Sequence, residues 1–183
     1  MRAKSIHVLA CAVLVALFST TSVTQNNTRY QELPNFHQVN ETLFRGGQPT
    51  AGGFQQLKQW GIKSVVNLRK LDERAHAEKA AAQRAGFRYF HIPLGTVGRP
   101  EHKDIEQVLS VINNVENQPV FVHCRKGQDR TGVVIAAYRI AQEGWTSEQA
   151  MAEAQRQGMK LWQIGMKNYI RDFYVLRYLS KNF

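Results

Sequence analysis

The sequence predicts an α/β domain built on a central, mostly parallel sheet flanked by helices. Short β-branched apolar runs alternate along the chain with segments of helical period, and glycines and prolines punctuate the alternation. The length of 183 residues suits one domain. A composition of 43% hydrophobic and 21% charged residues excludes a disordered or collagen-like chain. Two cysteines cannot make a disulfide scaffold, so apolar burial must hold the core.

The chain opens on a segment of different character. Arg2 and Lys4 form a basic start, residues 8–18 (VLACAVLVALF) are an unbroken apolar run of eleven, and small polar residues follow. That order is expected of a secretory signal peptide over residues 1–25. Eleven apolar residues fall short of the ~20 that span a bilayer, so an uncleaved membrane anchor is the second reading. The protein is therefore expected to be exported, periplasmic or secreted, and to meet the membrane only if this segment stays attached. Residues 1–24 hold two basic residues and no acid, so their removal takes the net charge from +10 to +8. Removal also leaves Cys124 as the one cysteine, a thiol with no intramolecular partner.

Residues 26–41 are polar and are expected to be an irregular lead-in to a domain over 42–183. Residues 42–45 read as a short strand, and Gly46-Gly47-Gln48-Pro49 turns the chain. Thr50 caps a helix running to about Trp60, which Gly61 ends. Residues 62–68 (IKSVVNL) are a β-branched strand, residues 72–84 a helix stopped by Gly86, and residues 87–92 a third strand. Residues 104–117 carry Ile105, Val108, Leu109, Ile112 and Val115 at the spacing of one helix face. Residues 119–122 form a short apolar strand. A helix over 131–143 follows and stops at Gly144, and Thr146 with Gln149 forms a capping box opening another. Residues 169–179 close the chain as an amphipathic helix, and Trp162, Tyr169, Phe173, Tyr174 and Tyr178 are expected to pack into the core.

Ligands of such sheets sit beyond the carboxyl ends of the strands, which points to residues 123–132 (HCRKGQDRTG). A cysteine ends a buried strand there, a glycine-containing turn follows, and then a helix begins. Such a turn aims successive backbone N–H groups at one point, and the helix amino terminus adds positive potential. The fork of Arg130 matches two oxygens of a phosphate. The same groups favour the Cys124 thiolate over the thiol. The segment thus binds a phosphate and sets a nucleophile beneath it.

This segment resembles the signature loop of cysteine-dependent protein tyrosine and dual-specificity phosphatases, matching it at His123, Cys124, Gly127, Arg130, Thr131 and Gly132. With FRGGQP and IKSVVNLR, it looks like the compact bacterial dual-specificity-like branch, similar to the atypical plant and fungal enzymes acting on inositol pyrophosphates. The resemblance implies a protein-tyrosine-phosphatase-like fold and a metal-independent hydrolase of phosphomonoesters, needing no cofactor. It implies that Cys124 attacks phosphorus, Arg130 holds the equatorial oxygens and Thr131 donates to the leaving thiolate. His123 would orient the loop, and Arg125, Lys126, Gly127 and Gln128 would bind substrate with Arg130.

Members of this superfamily usually place a general-acid Asp on a separate upstream loop, yet residues 92–100 (IPLGTVGRP) contain no acid. Asp129 inside the loop, Glu101 and Asp104 remain open as donors, with Asp104 also reading as a helix cap or first-turn residue. Myotubularin-type lipid phosphatases carry Asp at the position of Asp129. Arg125 and Lys126 suit more than one phosphate, and Arg69 either extends that set or pairs with Asp72. The expected partner is a phosphorylated protein or a polyphosphorylated small molecule, phosphoinositides and inositol polyphosphates included. No basic stripe with interleaved aromatics supports nucleic acid. A non-catalytic phosphate-binding module is the reading of another class, and the missing upstream Asp is its one argument.

Overall fold

The structure, a computed structural model, describes residues 31–181, with side chains to residue 178. The expected signal segment and the start of the lead-in lie outside the described residues. The elements run β1 (His37–Gln38), β2 (Leu43–Gly46), α1 (Ala51–Gln59), β3 (Ser64–Asn67), α2 (Glu73–Arg84), β4 (Arg88–His91), α3 (His102–Asn113), a 3-10 turn (Val115–Asn117), β5 (Val120–His123), α4 (Asp129–Glu143), α5 (Ser147–Arg156) and α6 (Ile164–Lys181). The sheet order is β1-β2-β5-β3-β4, with β1 antiparallel at one edge and the other pairings parallel. Among the described residues no helix is long and apolar enough to cross a membrane.

A strand buried on both faces needs apolar side chains on both, and β5 supplies them in alternation. Val120 and Val122 join Val66, Leu43 and the helices α3 to α6 in the larger core. Phe121 points to the opposite face, into a smaller core with Val65, Leu57, Phe54, Phe87, Leu33 and Phe36. Helix α4 lies inside the larger core, buried from Arg130 through Tyr138 and again at Ile140. Full burial of each such apolar side chain contributes about 1.5–3 kcal/mol, so the strand and helix that flank residues 124–128 are firmly anchored in the core.

Local signals explain most boundaries. The Thr50 and Asp72 side chains accept N-terminal N–H groups of α1 and α2, and Thr146 with Gln149 forms the capping box of α5. The sheet registers Gly46 and Asn67 with His123, which brings the carboxyl ends of β2, β3 and β5 to one edge.

Four expectations are corrected. The lead-in is partly structured, because β1 pairs with β2 and both Leu33 and Phe36 are buried. Helix α3 stops at Asn113: Asn114 is extended and its side chain accepts the Glu116 N–H, so Val115 leaves the apolar face and is 71% exposed. Helix α4 begins at Asp129, two residues earlier than the periodicity indicated. Helix α6 begins at Ile164 and buries Met166, Tyr169, Ile170 and Phe173, whereas Trp162 precedes it in a turn and is 61% exposed, with Tyr178 also exposed.

Candidate active site

Strand β5 delivers Cys124 to the carboxyl edge of the sheet, residues 125–128 turn, and the first turn of α4 carries Asp129, Arg130 and Thr131. Cys124 is a free thiol, 3% exposed. Burial alone would raise its pKa. The Thr131 hydroxyl, the charge of Arg130 and the backbone N–H groups of Thr131 and Lys126 outweigh burial and hold the thiol below its ordinary value. The Arg130 guanidinium is buried, and its Nη1 reaches the Leu68 carbonyl at the end of β3, 3.4 Å away.

The back of the loop rests on residues 34–48. Gly127 has φ +70, and a Cβ there would lie 2.4 Å from the Gly46 carbonyl carbon, so only glycine fits. Its carbonyl accepts from Arg45 Nη2 and from Asn35 Nδ2, each at 2.8 Å. The Gly47 N–H donates to Pro34 and the Gln48 N–H to Arg125. Arg45 is buried, and its Nε and Nη1 find no hydrogen-bond partner among the described residues. Burial pushes its pKa down to about 10, which leaves it charged at neutral pH close to Cys124.

His123 sits beneath the loop. Its Nδ1 lies 3.3 Å from the Cys124 carbonyl oxygen and its Nε2 lies 2.8 Å from Glu78 Oε1. The Tyr89 hydroxyl donates to the same carboxylate oxygen, and Asn67 Nδ2 donates to Tyr89. Burial, and then Glu78, hold the Tyr89 hydroxyl well above the usual phenol range, so it stays a donor. This buried chain joins β5, α2, β4 and β3 behind the nucleophile.

In front of Cys124 opens a cavity of about 270 Å³. Arg125, Lys126, Gln128, Asp129 and Arg130 form its floor and near wall; Thr96, Val97, Lys160, Trp162 and Gln163 form the far wall. Gln163 Nε2 donates to the Thr96 carbonyl, and Asp129 Oδ1 accepts from the Lys160 backbone N–H at 2.8 Å, so the wall is tied to the loop. The structure thus brings together Cys124, Arg125, Lys126, Gln128, Asp129 and Arg130, with Thr131 against the sulfur and Gly127 at the back. Of the three carboxylates, Asp129 lines this cavity. Glu101 is the cap residue of α3 and Asp104 lies in that helix's first turn; neither lines it. Arg69 pairs with Asp72 at 2.9 Å and donates to Gln48, and it does not line this cavity. Among the described residues no group of three or more His, Cys, Asp or Glu side chains is placed to hold a metal ion.

Arg45, Asn35, Glu78 and Lys160 escaped the sequence reading, and Trp162, read there as core, instead lines the cavity. Glu78 had a usable signal: it shares the spacing of Ala75 and Ala82, the buried face of α2. Arg45 had none beyond its place before the Gly46-Gly47 pair, and Asn35 had none at all.

The family model described as DSP-PTPase phosphatase fused to NAD+ kinase matches residues 11–172. Dual specificity protein phosphatase TpbA of Pseudomonas aeruginosa (strain UCBPP-PA14) is 33% identical over 131 residues, which cover 68% of this chain and 55% of that protein. Inositol diphosphatase DSP5 of Arabidopsis thaliana is 29% identical over 153 residues, 79% of this chain and 72% of that protein. The crystal structure of P. aeruginosa TpbA superposes with a TM-score of 0.67 at 28% identity, covering 81% of this chain and 91% of that one. The match thus spans about half the length of the TpbA protein.

Proposed function

The chain belongs to the family of DSP-PTPase phosphatases described as fused to NAD+ kinase, and on that premise we propose that it hydrolyses phosphomonoesters through a cysteinyl-phosphate at Cys124. One observation carries the reading: a buried thiol is held below its ordinary pKa by Thr131, Arg130 and backbone N–H groups at the floor of an open, basic cavity. A thiolate in that setting is both the nucleophile and part of an anion site.

The steps follow from the placement of the groups. The substrate phosphate lies against the loop N–H groups, with its oxygens on the Arg130 fork. The Cys124 sulfur attacks phosphorus, the S–P bond forms and the P–O bond to the leaving group breaks. Arg130 and the N–H groups stabilise the charge spread over the equatorial oxygens. Asp129 gives its proton to the leaving oxygen, and its tether to Lys160 keeps it on the cavity wall. Water then attacks phosphorus and gives a proton to the Asp129 carboxylate, the S–P bond breaks, and the Thr131 hydroxyl donates to the departing thiolate. His123, through the Cys124 carbonyl, orients the loop.

Val97 and Trp162 flank the cavity and suit the ring of an aryl phosphate such as phosphotyrosine. A second reading, a polyphosphorylated small molecule, is favoured by Arg125, Lys126 and Lys160 around the same mouth. Export to the periplasm or beyond is part of the proposal, supported by the basic start and apolar run of residues 1–25. The test is hydrolysis of an aryl phosphate in EDTA by wild type and Cys124→Ser. The proposal requires wild-type turnover that the variant lacks. Phosphate or vanadate binding with no turnover would leave the binding-module reading in its place.

A further inference from the structure

Apolar side chains stand exposed around the mouth of the catalytic cavity. Ten large apolar side chains are exposed among the described residues, and five of them, Leu71, Val97, Leu161, Trp162 and Ile164, belong to this rim. Val97 and Trp162 line the cavity and are still 67% and 61% exposed. Leu161 sits between the lining residues Lys160 and Trp162, and Ile164 follows the lining residue Gln163. Leu71 lies between Lys70 and Asp72, which line an adjoining hollow that shares Thr96, Arg125 and Arg130 with the cavity. The exposed Val115, by contrast, precedes β5 and so lies at the opposite end of the sheet.

The rim is held in shape. Gln163 Nε2 donates to the Thr96 carbonyl, Lys167 Nζ to the Leu161 carbonyl, and the Ile164 N–H to the Trp162 carbonyl. A Cβ at Gly165 would clash with the Gly98 backbone, so the turn after Trp162 presses directly on the turn after Val97. Apolar side chains gathered on a fixed surface mark a place for a partner.

Their neighbours decide which partner. Lys70, Arg74, Arg125, Lys126 and Lys160 are exposed around the same mouth and make no ion pair among the described residues. The carboxylates that line the cavity and the hollow are engaged: Asp72 by Arg69 and the Ala75 N–H, Asp129 by the Lys160 N–H. Protein interfaces are depleted of Lys. Here Lys70 and Lys160 directly precede Leu71 and Leu161. Trp and aliphatic side chains interleaved with Lys and Arg suit an anionic bilayer, with apolar tips among the acyl chains and cations at the headgroup phosphates.

We propose that this rim is a membrane-docking surface, which seats the catalytic mouth on an anionic lipid bilayer through Leu71, Val97, Leu161, Trp162 and Ile164. Docking of this kind requires no spanning helix and operates whether or not residues 1–25 remain attached. It concerns where the enzyme works rather than the chemistry at Cys124, so its test does not depend on turnover.

The test places an environment-sensitive fluorophore on a single cysteine in the full chain carrying Cys11→Ala and Cys124→Ser. Leu161→Cys puts it on the rim and Val115→Cys at the far end of the sheet; both positions are exposed, so both proteins are expected to fold. Each is titrated with vesicles of equal parts phosphatidylglycerol and phosphatidylcholine, and with phosphatidylcholine alone. The proposal requires the Leu161→Cys label to brighten and shift to the blue on the anionic vesicles while the Val115→Cys label does not. The apparent affinity read at Leu161→Cys should be about tenfold or more higher for the anionic vesicles, because each Lys or Arg near the surface favours them severalfold. Adding Leu71→Ser/Ile164→Ser should weaken it by about tenfold, through the lost apolar burial. An equal response at both label positions, which attachment by residues 1–25 alone would give, overturns the proposal. So does equal affinity for the two kinds of vesicle. No response at Leu161→Cys overturns it as well and leaves the rim to a protein partner. Aryl phosphate turnover by wild type, measured separately, decides the phosphatase reading.

Discussion

The Arg45 guanidinium, 1% exposed in strand β2, donates to the Gly127 carbonyl at 2.8 Å and so fixes the back of the loop that follows Cys124. Two of its nitrogens have no partner among the described residues, so its burial costs stability rather than adding to it. What it contributes is the fixing of the loop and a cation near the thiolate.

Arg45→Met therefore separates stability from activity. The thermal midpoint is expected to be unchanged or higher, since apolar replacement of a buried charge is often neutral or stabilising. The kcat/KM is expected to fall by about tenfold or more as the loop loses a charge-assisted anchor. The acid limb of the pH–rate profile should move to higher pH, because a cation near the Cys124 thiolate is gone. A midpoint that falls with the activity would make Arg45 an ordinary structural residue.

Thr131 sets the charge state of the nucleophile. The thiolate form gains from its hydroxyl, so Thr131→Ala raises the thiol pKa, and the thiolate fraction at a given pH below it decreases. The acid limb of kcat/KM, and of alkylation of Cys124 by iodoacetamide, should both shift to higher pH. Thr131→Ser, which restores the hydroxyl, should return both toward wild type. Coincident alkylation profiles for wild type and Thr131→Ala would remove this role.

Asp129→Asn isolates the proton from the tether. The amide oxygen still accepts the Lys160 N–H, so the cavity wall stays in place while the acid is lost. Alkyl phosphates need a protonated leaving group and should lose about 10²–10⁴-fold in kcat. Aryl phosphates need little protonation and should lose far less. An equal loss on both substrate types would mean that Asp129 acts on the loop alone.

The His123–Glu78 contact predicts a stability effect at a distance from solvent. Glu78→Ala removes the carboxylate that faces His123 Nε2 and leaves the Tyr89 hydroxyl without its acceptor. Chemical denaturation is expected to show a loss of about 1–3 kcal/mol, the cost of unsatisfied buried polar groups. Glu78→Gln keeps one acceptor oxygen and should recover part of it.

These cases also mark what can be read from the chain alone. The loop at His123–Gly132 was readable because an apolar strand, a turn glycine and a helix start coincide with a phosphate-binding set of side chains. Capped helices such as α5 were readable because their signals are local. Strand β1 was not, since two residues carry no periodicity. The end of α3 was missed because Val115 keeps the helical spacing although Asn114 has already broken the helix. Arg45 and Asn35 meet Gly127 across long stretches of chain, a convergence that no spacing encodes. Trp162 read as core because it precedes an aromatic helix, but the helix begins two residues after it.

The most direct measurement of the central claim is mass spectrometry of the protein quenched in acid within its first turnovers of an aryl phosphate. The account predicts one added phosphoryl group, mapped to the peptide holding Cys124, absent from Cys124→Ser and decaying as phosphate appears. Turnover without a phosphorylated Cys124, or turnover that persists in Cys124→Ser, would contradict it.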